Sequence, residues 1–289
     1  MAINNLNLNL NLGQGGSTPS KPWPRFNSMV YGPITLGAGL PGYSPAKPVA
    51  SRGPRNWNAA LRSYIYLEDF LRTSPGWKSD MIAVAEAKSA DGTSTRGPAH
   101  AVTPAILEQE IKHILDQTEE REDRFMEIID QHDGEGALNY WAGMLNLDGH
   151  SQPKTFLMMH AARHIGEHVV MCLKDHFGGL RPSQICPWIV PMIDPPATPA
   201  FPAGHALQSY LISAALADAL PGLPSSEAAH PLFALAERVS DNRVIAGLHF
   251  RMDNEAGRDV ALACHQGLKS MPSWQSLIAD VRAELPHYS

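Results

Sequence analysis

Residues 154–174 read KTFLMMHAARHIGEHVVMCLK. Apolar side chains fill most of this stretch, and His160, His164 and His168 recur every fourth residue as a polar stripe. Residues four apart share a helix face, so the pattern predicts a strongly apolar helix with one polar edge. Such a helix belongs in a core, and the sequence on either side says what surrounds it.

Downstream, six prolines (Pro187, Pro191, Pro195, Pro196, Pro199 and Pro202) force residues 185–202 into an extended loop. Each lacks a backbone N–H and disfavours helix in the residue before it. Helical patterns resume over about 205–219, 229–246, 249–268 and 274–285. Upstream, Asn58 can cap a helix running to about Arg72, with Leu61, Tyr64 and Ile65 on one side. Residues 73–102 read as a polar loop. Thr103-Pro104 is an N-cap followed by a first-turn proline. Leu107, Ile111, Ile114 and Leu115 then recur at helical spacing, as do Phe125, Ile128 and Ile129. The charged run Asp116–Arg124 between them reads as a solvated helix face. Few segments look like strands. The expected fold class is all-α, a helical bundle, with one domain over about residues 58–289. Residues 1–57, an Asn-Leu alternation followed by a Pro/Gly-rich stretch, read as an extended arm.

Of the 289 residues 44% are hydrophobic and 18% charged, enough for a sizeable core and unlike a disordered chain. A net charge of −6 provides no global positive field for nucleic acid or acidic lipid, so no nucleic-acid partner is expected. Cys172, Cys186 and Cys264 lie far apart, which argues against a disulfide framework or a cysteine-built zinc site. The apolar tracts near 185–193 and 210–220 are broken by proline or by Asp218, so no membrane span is expected. The start, Met1 to Asn5, lacks the basic and apolar parts of a secretory signal. The expected location is therefore cytoplasmic.

Four groups of residues could carry chemistry. Arg243 falls on the same helical stripe as Leu232, Ala236 and Val239, the face that should be buried. A guanidinium there keeps its charge and needs an anion, either a buried carboxylate or a ligand. Lys174 closes the apolar helix and Arg181 opens the proline-rich loop, with Gly178-Gly179 between them, so both could turn toward one point. Lys174 could equally just answer the helix dipole. In Pro202-Ala203-Gly204-His205 the loop enters a helix whose first N–H groups can bind an anion, with His205 in reach. An ordinary loop-to-helix junction would read the same way. His249 and Asp253, four apart, share a helix face, so the carboxylate can hold one ring nitrogen and leave the other free.

Order and spacing join these groups. Lys174, six residues, then Arg181-Pro182; Pro202-Ala203-Gly204-His205; and Arg243, five residues, His249, three residues, Asp253 resemble a three-part signature. It is that of the superfamily of type 2 phosphatidic acid phosphatases, bacterial acid phosphatases and vanadium-dependent haloperoxidases. The resemblance covers about residues 150–270 and implies the helical bundle of that superfamily. It implies that Lys174, Arg181, Gly204 and Arg243 bind a phosphate or vanadate. It makes His249 the group on phosphorus or vanadium, Asp253 its orienting partner and His205 the general acid–base. Two positions depart from the pattern: Ala203 and Asn242 stand where serines are usual. Losing the hydroxyl at 203 removes one oxyanion donor, which raises a non-catalytic oxyanion binder as an alternative.

The run Asn242–Asp253, with Phe250 and Arg251 just after the histidine, looks more like the haloperoxidase form. On that reading the cofactor is vanadate, and hydrogen peroxide and a halide are the small-molecule substrates. The alternative is a soluble phosphatase that hydrolyses phosphomonoesters through a phosphohistidine and needs no cofactor. Members of the superfamily often form helical dimers, so a homodimer is an option here, with the arm reaching the partner subunit. His164-Ile165-Gly166-Glu167-His168 also matches the pattern of inverted zinc peptidases, without a matching distal glutamate. The preferred reading of that stripe is that His160 and Glu167 back the face carrying Lys174.

Overall fold

The first helix, α1 (Ala59–Thr73), starts where Asn58 accepts the Leu61 N–H at 2.8 Å. The computed structural model describes residues 57–88, 94–132, 134–223 and 230–288, so all of the arm except Trp57 lies outside the described residues. After α1 come α2 (Trp77–Ala85), α3 (Pro104–Asp116), α4 (Arg121–Asp130), α5 (Gly134–Met144) and α6 (Pro153–Phe177). The chain continues with α7 (Pro182–Ile185), α8 (Gly204–Ala219), α9 (Pro231–Ile245), α10 (Arg251–Lys269) and α11 (Pro272–Glu284). Proline opens α3, α6, α7, α9 and α11, where a missing N–H costs nothing because first-turn donors have no helical acceptor. The fold is all-α apart from one small antiparallel ladder, β1 (Ala87–Lys88) with β2 (Ser94–Arg96).

One expectation needs correction. Residues 73–102 are not all loop, because α2 occupies part of them and buries Met81 and Ala85. Nine residues are too few for periodicity to reveal, and tertiary packing against α10 supports the helix. On α1, Leu61, Tyr64 and Ile65 share an exposed side, at 40%, 54% and 42%. The helix turns Phe70 and Ser63 inward instead, with Tyr66, Leu67 and Leu71 packed partly against the core.

The core is built around α8, which lies against α6, α9 and α10. Leu207, Leu211, Ala215 and Leu216 are fully buried there, as are Leu157, Ile165 and Leu173 of α6. Two glycines allow the close approach. A Cβ on Gly166 of α6 would come 3.0 Å from the Leu207 side chain, and one on Gly257 of α10 would sit 2.6 Å from the Ala203 carbonyl oxygen. The beginning of α8 is thus held tightly between two helices, which fixes whatever its first turn presents. On α9 the stripe Leu232, Ala236, Val239 and Arg243 is fully buried, as its spacing predicts. Among the described residues no helix is long and apolar enough to cross a membrane.

Candidate active site

The left-handed Gly178 (φ 61°) caps α6, its N–H meeting the Lys174 carbonyl at 2.9 Å. The chain then doubles back to Arg181 at the start of α7. Gly179 has to be glycine, because a Cβ there would fall 2.8 Å from that of Phe201. Lys174 and Arg181 consequently address the same piece of the proline-rich loop. Lys174 Nζ donates to the carbonyls of Pro199 and, at 3.0 Å, Ala200. Arg181 donates to the Thr198 carbonyl through Nε (3.2 Å) and Nη2 (2.9 Å). A chain that forms neither helix nor sheet leaves such carbonyls unpaired, and these two cations satisfy them.

Arg181 also ties the loop to His249, since its Nη1 lies 2.9 Å from both the Leu248 carbonyl and His249 Nε2. A guanidinium only donates, so Nε2 accepts and carries the lone pair. The ring proton is then on Nδ1, which donates to Asp253 Oδ2 at 3.2 Å. The same oxygen accepts the Phe250 N–H at 2.9 Å, so Asp253 both caps α10 and fixes the tautomer of His249. His205, in the first turn of α8, donates from Nε2 to the Gln131 carbonyl at 2.8 Å and keeps its lone pair on Nδ1.

Arg243 is different. It is wholly buried, and only its Nη2 has a partner, the Ile128 carbonyl at 2.9 Å. Nε and Nη1 are buried without a hydrogen bond, and no carboxylate pairs with Arg243 among the described residues. Nearby, no side chain caps the N-terminus of α8, where Ala203 offers only a methyl group. Among the described residues nothing demands glycine at 204, because a Cβ there would meet Val170 at an ordinary 3.6 Å.

The groups lie close enough to act on one another. The charges of Arg181, Lys174, His205 and Arg243 all bear on the His249 ring. Burial first, then these cations, hold His249 well below the ordinary histidine range. Burial and next Arg243 push His205 down to about 3. Burial alone lowers Arg243 to about 10. It also lowers Lys174, helped by Arg181, and raises Asp253 despite the bond from Phe250. Every shift on a base is downward, chiefly because burial disfavours the charged form, with neighbouring cations adding to it at Lys174, His205 and His249. Such an arrangement can hold a compact multivalent anion and present to it one imidazole with a free lone pair.

Several residues of the site escaped the sequence. Gln131 is one, and so is Glu110 on α3, buried with Oε2 accepting the Met252 N–H of α10 at 3.2 Å. Both come from elements outside the signature, and neither sits in a pattern. Asn242 was expected to stand in for a serine. Instead its amide joins Gln131 Oε1 (2.9 Å), Glu127 (3.1 Å) and Arg124 (3.1 Å). Of the aromatic residues in the proline-rich loop, Phe201 is core, edge-on to Phe177 at 5.0 Å, and Trp188 is 85% exposed.

The histidine stripe of α6 is absorbed by packing. His164 meets the Ser63 hydroxyl and stacks on Tyr64 at 4.7 Å, and His168 lies 5.5 Å from Trp77. Glu167 is exposed beside Arg163 and does not back Lys174, whose ammonium is held by the loop carbonyls. Among the described residues no group of three potential ligands could hold a metal ion.

Comparison with known proteins finds weak similarity to non-specific acid phosphatases. The protein of that name from Salmonella typhi is 34% identical over 86 residues, covering 30% of this chain and 32% of the relative. The one from Salmonella typhimurium is 33% identical over 86 residues with the same coverage. The match thus spans about a third of the length of each relative. No protein-family model matches the chain.

Proposed function

We propose that the protein is a phosphatase that hydrolyses phosphomonoesters through a phosphohistidine at His249. The observation that carries this reading is Arg243: a fully buried guanidinium with two unpaired donors and, among the described residues, no carboxylate partner. An unpaired buried charge costs several kcal/mol or so, and an oxyanion is what removes that cost. The partial likeness to acid phosphatases points the same way.

A phosphoryl group enters against Arg243, Lys174, Arg181 and the first-turn amides of α8 at Gly204. Arg181 Nη1 exchanges His249 for a phosphate oxygen, which uncovers the Nε2 lone pair. Nε2 attacks phosphorus, and Asp253 stabilises the positive charge that develops on the ring. The bound dianion raises the proton affinity of His205, offsetting the burial that depresses it, so Nδ1 takes up a proton from solvent as substrate binds. The P–O bond to the leaving group breaks, and that oxygen takes the Nδ1 proton. Water then attacks phosphorus, giving a proton to His205 Nδ1 as the Nε2–P bond breaks, and phosphate leaves.

Vanadate has the shape and charge of phosphate, and the same donors would hold it. The haloperoxidase reading drew on Phe250 and Arg251. Phe250 is buried in an apolar cluster with Val244 and Met252, and Arg251 pairs with Glu110 and Glu255. Both are accounted for without a halide site. The test is phosphate release from an aryl phosphate by the purified protein, inhibited by vanadate and leaving an acid-labile phosphoryl group on His249. Dye bromination with vanadate, peroxide and bromide, in the absence of phosphate release, would move the assignment to a haloperoxidase. Phosphate binding without either turnover would make it a non-catalytic binder.

A further inference from the structure

We infer that Gln131 is a phosphate-binding residue whose side-chain amide supplies the oxyanion donor that Ala203 lacks; this rests on the phosphate-site reading above. Gln131 follows α4 directly and is fully buried. Its backbone carbonyl holds His205 at 2.8 Å. One turn earlier, the Ile128 carbonyl holds Arg243 at 2.9 Å. The end of α4 therefore touches both the general acid–base and the unpaired guanidinium.

The orientation of the Gln131 amide follows from charges further out. Glu127 only accepts and Arg124 only donates. Asn242 lies between them, so it turns its NH2 toward Glu127 (3.1 Å) and its oxygen toward Arg124 (3.1 Å). That NH2 also faces Gln131 at 2.9 Å, which obliges Gln131 to present its oxygen there. The NH2 of Gln131 is thereby directed away from Asn242, and it is buried without a hydrogen bond. The Tyr140 hydroxyl lies beside Gln131, whose amide acts on it as a side-chain hydrogen-bond donor, yet no well-formed hydrogen bond is made at Nε2. A buried amide with unused donor capacity is costly unless a ligand takes it up.

The two departures from the signature then become one arrangement. Asn242 orients Gln131, and Gln131 offers N–H donors from the helix end whose Ile128 carbonyl holds Arg243, where Nε and Nη1 are unpaired as well. The hydroxyl absent at 203 is replaced from a different helix.

The test is calorimetric titration of the full chain with inorganic phosphate. Gln131→Met keeps the backbone carbonyl for His205 and removes the donors, so affinity should fall about tenfold or more. Adding Ala203→Ser to that variant should recover most of the loss, which a merely structural role for Gln131 would not allow. Unchanged affinity in Gln131→Met, or no recovery in the double variant, overturns the inference alone. If the unaltered protein binds no phosphate, the site reading falls and this inference with it. Should Gln131→Met fail to fold, Gln131→Glu retains the oxygen that Asn242 needs. It should lose phosphate binding at neutral pH, and undiminished binding there overturns the inference.

Discussion

Two regions of the molecule concentrate polar side chains within apolar helices. Along α6, the ring of His164 stacks on Tyr64 and meets Ser63, and that of His168 lies against Trp77. Where α8, α9 and α10 meet, Arg243 Nε and Nη1, Gln131 Nε2 and Asp253 Oδ1 are all buried and unpaired. By residue type the first region looks the more reactive, with histidines at metal-binding spacing. The rings of His164 and His168 are taken up by their neighbours, whereas the second region gathers several unpaired groups around Arg243. Unspent buried donors, rather than an accumulation of suggestive residues, distinguish a site from packing.

The largest expected effect contrasts one histidine from each region. His249→Ala should lower phosphate release on the order of 10⁴-fold, while His164→Ala should leave kcat within about twofold. Equal losses in steady-state assays would erase the contrast. Next comes Arg243→Met, expected to lower kcat/KM on the order of 10²–10³-fold. The same variant should melt no lower than the parent without phosphate, because it removes an unpaired buried charge. Its melting temperature should no longer rise with phosphate. A large drop in stability with phosphate binding intact would return Arg243 to a structural role.

A smaller effect concerns acid. His205 is held near 3 when folded and titrates near 6.5 when unfolded, so the unfolded chain binds the extra proton between those values. Its contribution is fully favourable above 6.5 and is lost progressively as pH falls toward 3. At pH 5 the loss is about 2 kcal/mol, and His205→Gln should make the acid limb of a denaturation profile shallower by that amount. The smallest effect is Ala203→Ser, which supplies the missing cap to α8 and should add about 1 kcal/mol. Its phosphatase rate should rise less than tenfold, because Gln131 already provides the donor. A gain of 10² or more in kcat would show that nothing had replaced the hydroxyl.

Much of the scaffold was legible in the sequence because its rules are local. Asn58 and Thr103 cap the helices they were expected to cap, and the proline-rich stretch is extended. Periodicity failed where a helix was short, as at α2, and on α1 it did not tell which apolar edge is buried. At the site, spacing brought Lys174, Arg181, His205, Arg243, His249 and Asp253 under suspicion. It gave no warning of Gln131 or Glu110, whose importance comes from where α4 and α3 dock.

The sequence by itself determined most of the longer helices, the caps at Asn58 and Thr103 and the burial of the Arg243 stripe, since all three depend on neighbours within a turn or two. Only the tertiary structure decided whether that buried charge has a carboxylate partner, which nitrogen of His249 carries the lone pair, and which way an amide on a distant helix points. Those depend on atoms brought together from distant parts of the chain: Arg181 and His249 are 68 residues apart, and Gln131 and Asn242 are 111 apart. No local preference encodes that encounter, because it is the packing of α4 on α9 that creates it.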